Sequence, residues 1–178
     1  MKIFISGSIS IKTLPEQAKK KINEILQDNH EILVGDADGV DKLVRNYLAE
    51  RNCHNITVYS TGKPRCDIPI NWKHKEVSPQ RGVRGREHFA LKDKAMAQDC
   101  DAAFAIWDGR SQGTHDNIEK TKEMGKPTLT FNTTTNKFYG TVPQPPSSQP
   151  SRKIPENFEN IENQNMYSTN IESDTPEI

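Results

Sequence analysis

The sequence predicts an α/β domain of the doubly wound, Rossmann-like class, with a five-stranded parallel sheet of order 3-2-1-4-5. Three observations predict it. Apolar runs and helical periods alternate from Lys2 to Phe131. The runs are short and continuous in hydrophobicity, as in strands covered on both faces. Right-handed crossovers between parallel strands then leave a sandwich whose chain reverses direction beside its first strand.

Lys2-Ile3-Phe4-Ile5 is the first strand, ending at Ser6-Gly7-Ser8. Leu14, Ala18, Ile22, Ile25 and Leu26 recur at spacings of three and four, an amphipathic helix with Pro15 at a tolerated early position. Glu31-Ile32-Leu33-Val34 is the second strand, followed by Gly35-Asp36-Ala37-Asp38-Gly39. Val40, Leu43, Val44, Tyr47 and Leu48 form the next helical stripe, and Asn55 to Tyr59 the third strand. The polar stretch from Ser60 to about Gly85 is too long for an ordinary connection and reads as a functional loop. A less cleanly patterned helix covers Arg86 to Asp99, and Asp101 to Trp107 is the fourth strand. Thr114 to Met124 is helical, stopped by Gly125 and Pro127, and Thr128 to Phe131 is the fifth strand.

The periodicity ends at Asn132. The chain from Thr133 is rich in Asn, Ser, Thr, Gln, Pro and Glu, too polar to offset its conformational entropy. The expected organisation is a domain over residues 1–132 and a disordered polar tail over 133–178.

Composition narrows the function. The formal net charge is zero. Domains that bind nucleic acid are usually basic, so nucleic acid is not the expected partner. Cys53, Cys66 and Cys100 are odd in number and widely spaced, which fits neither a disulfide framework nor a zinc site. A reducing, cytoplasmic compartment is the expectation. No segment reaches the roughly 18 apolar residues of a membrane span. The five histidines show no metal spacing, so neither a metal nor a cofactor is expected. A homo-oligomer stays open.

Candidate chemistry gathers at the strand ends. Gly7 and Ser8 permit close approach of an anion to backbone N–H groups. Gly35 and Gly39 bracket a turn into a helix. Asp36, Asp38 and Asp41 either accept from sugar hydroxyls or cap that helix and complement its dipole, with Asp38 as the capping residue. Trp107, Asp108, Ser111, Gly113 and Thr114 follow the fourth strand beside the switch point. Gly113 and Thr114 open a helix there, and Thr114 is equally a plain N-cap. Asp108, and after it Asp38, are the carboxylates best placed to act on a ligand. From Ser60 to Ala95 nine Lys or Arg residues face four acidic ones. In that stretch Arg84 and Arg86, within Arg81-Gly-Val-Arg-Gly-Arg86, suit phosphate recognition or a plain solvated face.

Three segments in order, GDADGVD, REHFALKDKAMAQDCD and SQGT, resemble the SLOG superfamily of Rossmann-like nucleotide-ligand proteins near its YspA-like branch. The resemblance covers about Lys2 to Phe131. It implies a ligand pocket built from the loops after the first, second and fourth strands, holding a nucleotide-derived small molecule. The superfamily's enzymes carry a glutamate three residues after the Thr of the Gly-Thr turn, where this chain has Asn117. Arg110-Ser111-Gln112 stands in place of a Pro-Gly-Gly lead-in. Asn117 can bond a ribose but cannot serve as a carboxylate nucleophile. Binding, as in a sensor, is therefore the leading expectation. Cleavage or transfer at an N-glycosidic bond, and single-strand nucleic-acid binding, are the alternatives.

Overall fold

The computed structural model describes residues 1–141. Seven strands form one sheet, covered by four helices. The strands are β1 (Lys2–Gly7), β2 (Glu31–Gly35), β3 (Ile56–Thr61), β4 (Lys73–Val77), β5 (Ala102–Trp107), β6 (Thr128–Asn132) and β7 (Lys137–Gly140). The helices are α1 (Glu16–Gln27), α2 (Val40–Glu50), α3 (Gly85–Asp99) and α4 (Gln112–Glu123).

The order is β4-β3-β2-β1-β5-β6-β7. Its centre is the expected arrangement, because β3, β2, β1, β5 and β6 are the five apolar runs. The five-strand count needs correction. β4 adds a parallel edge beside β3, and β7 adds an antiparallel edge beside β6. Neither has an apolar run. Lys73, His74, Lys75 and Glu76 are all exposed, as are the four residues of β7. An edge strand pairs on one side only and needs no continuous hydrophobicity.

β7 also moves the domain boundary. The sheet does not stop at Asn132. Phe138 pairs with Phe131, with ring centroids 4.9 Å apart, and Thr141 N–H donates to the Thr128 carbonyl. The expectation of a disordered tail otherwise falls on 142–178, outside the described residues.

Two apolar clusters flank the sheet. Ile3, Ile5, Ile32, Val34, Phe104 and Phe131 form a core with Ala18 and Ile22 of α1 and with Val44 and Leu48 of α2. Phe4, Leu33 and Tyr59 on the other face meet Met96, Ala97 and Cys100 at the end of α3. Alternate residues of β1 thus supply opposite layers, as strand geometry requires. Each fully buried Phe or Ile contributes on the order of 2 kcal/mol. No helix among the described residues is long and apolar enough to cross a membrane.

Candidate functional site

β1 pairs with β2 on one side and with β5 on the other. The chain reverses its direction of travel across the sheet there. The loops after β1 and β5 therefore part over the carboxyl ends of the strands, where open α/β sheets bind ligands.

A hydroxyl and carboxylate network fills this junction. Ser8 Oγ donates to Asp108 Oδ1 at 3.0 Å and lies 3.3 Å from Thr114 Oγ1. It also accepts from the Asp108 N–H at 3.1 Å. Asp108 Oδ1 further accepts the N–H groups of Arg110 at 2.9 Å and Ser111 at 2.7 Å. Asp108 Oδ2 accepts from the exposed Ser10 hydroxyl. Partial burial pushes the Asp108 carboxyl up, but the donors from Ser10, Ser111, Arg110 and Ser8 outweigh it and hold it at about 2. At neutral pH Asp108 is thus an anion that ties β1, β5 and the start of α4 together.

α4 begins earlier than the sequence suggested. Its first residue is Gln112, and Ser111 is the N-cap, accepting from Thr114 N–H at 3.4 Å. Thr114 is therefore not the cap. Its own hydroxyl donates to Ser111 Oγ at 3.1 Å. Gln112 and Gly113 N–H have no partner among the described residues, as expected in a helix's first turn. Gly113 has open space around it. Trp107, half-buried, donates from Nε1 to the Ser111 carbonyl at 3.0 Å and lies 5.7 Å from the ring of His115. Ser8 and Thr114 are buried, and so is Asn117 one turn further on.

A second cluster closes the end of β2. Asp36 is buried and receives Arg65 in a fork, Nη2 to Oδ1 at 2.6 Å and Nε to Oδ2 at 3.1 Å. Burial raises its carboxyl, and the Arg65 hydrogen bonds and charge more than reverse the rise. Lys92 of α3 is buried as well, with its ammonium 2.6 Å from Asp93 and 3.5 Å from Asp41. Burial lowers the Lys92 ammonium, but Asp41 and Asp93 outweigh it and keep the group charged. Burial leaves the Asp41 carboxyl raised despite Lys92. Arg45 of α2, also buried, donates to the carbonyls of Gly35 and Ala37. Asp41 is thus a buried ion-pair partner as well as a first-turn residue. Asp38 is exposed, 3.9 Å from Lys42, and does not cap α2, which has Gly39 at its N-cap.

Glycines let these parts meet. A Cβ on Gly35 would come within 3.0 Å of both Asp41 Oδ2 and Lys92 Nζ. Gly39 has φ +69, and a Cβ there would strike the Ile9 backbone. A Cβ on Gly7 would strike Val40 and the Ile106 carbonyl. The loops after β1 and β2 are therefore packed backbone against backbone, and Val40 N–H reaches the Ser8 carbonyl.

No protein-family model matches this chain, and no curated protein matches it. The site must be weighed on its own geometry. That geometry brings Gly7, Ser8, Trp107, Asp108, Ser111, Gly113 and Thr114 together at one junction. Gly35, Asp36, Gly39 and Asp41 stand at the neighbouring strand end. Arg84 is the N-cap residue of α3, and Arg86 pairs with Asp116 of α4. The basic stretch is largely spent internally, with Arg65, Lys73, Lys75, Arg86 and Lys92 each on a carboxylate.

Arg65, Lys92 and Ser10 were not singled out from sequence. Only the placement of a lysine among the apolar positions of α3 hinted at Lys92. Two surface grooves, of about 520 Å³ between the Lys12–Lys20 segment and α2 and about 330 Å³ beside Leu129 and Phe138, include none of the candidate residues. Both are bounded by α1. Among the described residues no cluster of His, Cys, Asp or Glu has the geometry of a metal site.

Proposed function

We propose that this protein binds a nucleotide or nucleotide-derived small molecule across the loops after β1, β2 and β5, as a ligand sensor rather than a hydrolase. Kinship with the SLOG superfamily belongs to the same proposal. The observation that carries it is the unpartnered pair of N–H groups on Gln112 and Gly113, fixed at the strand-order reversal by the Ser8–Asp108–Ser111 network. A helix N-terminus held rigidly at that point offers an anion a partial positive charge and ready donors. Exposed Arg84 and Arg110 lie on the segments leading into α3 and α4.

The chemistry of Asp108 favours holding over attacking. A carboxyl held at about 2 is a weak base, and four donors already satisfy it. Asp38 is exposed, and its one ion pair among the described residues is the 3.9 Å contact with Lys42.

Calorimetric titration of the full chain with AMP, GMP, cyclic nucleotides and ADP-ribose tests the reading. A true ligand also raises the melting temperature with the logarithm of its excess. Gly113→Glu, at a position with open space, should keep the fold while setting a carboxylate against the free N–H groups. Binding is expected to fall at least tenfold. Silence across the whole panel, or a hit indifferent to Gly113→Glu, overturns the reading.

A further inference from the structure

The two edges of the sheet are finished differently. β4 runs Lys73-His74-Lys75-Glu76, a row of exposed charge that discourages further pairing. β7 instead carries Phe138 and Tyr139 at its middle, 41 % and 49 % exposed. Its outer side is unpaired among the described residues. Thr141 N–H turns inward to the Thr128 carbonyl, and Tyr139 lies in register with Thr130. Alternation along an antiparallel ladder therefore turns the N–H and C=O groups of Phe138 and Gly140 outward. That edge offers two donors and two acceptors to another strand.

The side chains beside it narrow what that strand can be. Phe138 and Leu129 line a groove of about 330 Å³, bounded on the α1 side by Gln17, Lys20, Lys21 and Glu24. Successive strand residues point to opposite faces, so Phe138 faces α1 while Lys137 and Tyr139 face away from it. Lys21 is already paired with Glu24. Lys20 and Lys137 are exposed, and neither meets a carboxylate among the described residues. An unbalanced lysine thus stands on each face of an otherwise apolar edge.

We propose that β7 is a docking edge for an extended, acidic segment of a partner protein. The segment adds an eighth strand to the seven of the sheet, with apolar side chains over the Leu129–Phe138 groove and acidic ones toward Lys137 and Lys20. Main-chain hydrogen bonds hold such a strand, and alternate side chains select it. A basic segment finds the same backbone groups but faces two lysines with no compensating acid. The assignment is independent of any ligand at the β1–β5 junction.

The test follows the full chain by fluorescence anisotropy at low salt. The probes are fluorescein-labelled Glu-Val-Glu-Val-Glu-Val, its counterpart Lys-Val-Lys-Val-Lys-Val, and the acidic peptide N-methylated along its backbone. The acidic peptide should bind roughly fivefold or more tightly than the basic one, and the preference should shrink as salt rises. N-methylation keeps side chains and charge but removes the backbone donors, so binding should fall at least roughly tenfold. Lys137→Glu changes an exposed residue without an ion partner among the described residues. It should keep the melting temperature and narrow or reverse the preference. Equal binding of the acidic and basic peptides, or a preference unmoved by Lys137→Glu, overturns the acidic partner. Undiminished binding of the N-methylated peptide overturns strand addition. No binding of any probe overturns the assignment, whether the full chain then runs on a sizing column as a monomer or as a dimer with a second copy on the edge.

Discussion

Replacing Gly35 by alanine adds one methyl group where two buried charges already stand. The new Cβ would meet Asp41 Oδ2 and Lys92 Nζ inside 3.0 Å, each on a side chain under a tenth exposed. Ordinary carbon contacts need ~3.5 Å, so both charged ends must retreat by roughly 1 Å. Lys92 has little room to do so. Its ammonium is held by Asp93 at 2.6 Å, and its backbone N–H donates to Thr61 Oγ1 at 3.2 Å. Overpacking of this kind costs about 1–3 kcal/mol, and loosening a buried ion pair adds to it, up to ~3–5 kcal/mol when a partner is lost outright. A loss of about 2–4 kcal/mol is expected. At about 3 °C per kcal/mol for a domain of this size, melting falls by roughly 6–12 °C. Urea unfolding followed by tryptophan fluorescence measures the change directly. Gly113→Ala is the internal control, because nothing lies within 4 Å of its Cβ and it sits in a helix. It should be neutral or stabilise by up to ~1 kcal/mol. If Gly35→Ala stays within about 0.5 kcal/mol of the parent, the size expected of an uninvolved surface change, the packing argument around Lys92 is refuted.

Three further outcomes are expected. Asp108→Asn should remove an acid-sensitive part of stability: the folded carboxyl sits near 2 against an ordinary 3.8, so its contribution is full above about 4 and is lost as pH falls toward 2. Melting curves of the parent and variant should therefore converge across that window, and a constant gap from pH 7 to pH 2 contradicts the assignment. Ser111→Ala should cost about 1 kcal/mol through the lost cap, with Ser111→Asp recovering most of it, in thermal melts near neutral pH. A chain ending at Asn132 should melt below one ending at Thr141, because it loses the β6–β7 ladder and the packing of Phe138 on Phe131; equal melting would return the boundary to Asn132.

The central sheet was legible because β1, β2, β3, β5 and β6 are buried on both faces and are dominated by apolar and β-branched residues. α1 and α2 were legible for a related reason: each buries one stripe and leaves the rest to solvent. The edges were not. β4 is Lys-His-Lys-Glu-Val, and its strand character comes from the hydrogen bonds of β3 rather than from its own hydrophobicity. Of the site, the strand-end loops could be placed from Gly7, Gly35, Gly39 and Gly113. Their pairings could not. Asp36 meets Arg65 across 29 residues, and Ser8 meets Asp108 across 100. Periodicity carries no information about contacts at such separations. Asp41 could be read as a dipole-complementing residue because its first-turn position is visible in sequence. The lysine that makes it a buried ion-pair partner arrives from another helix.

The close contact between the loops after β1 and β2 has a mechanical consequence. With Gly39 pressed on the Ile9 backbone and Val40 N–H bonded to Ser8, neither loop can swing outward without dragging the other. A ligand that grips only one of them would therefore damp both. Amide hydrogen exchange should report this as shared slowing at Ser8, Ile9 and Val40, even when the ligand touches only the loop after β2. The same linkage restricts how such a chain can diverge. A side chain gained at position 39 would require the backbone at position 9 to be redrawn, so the two loops should be exchanged between related proteins as a unit and not singly.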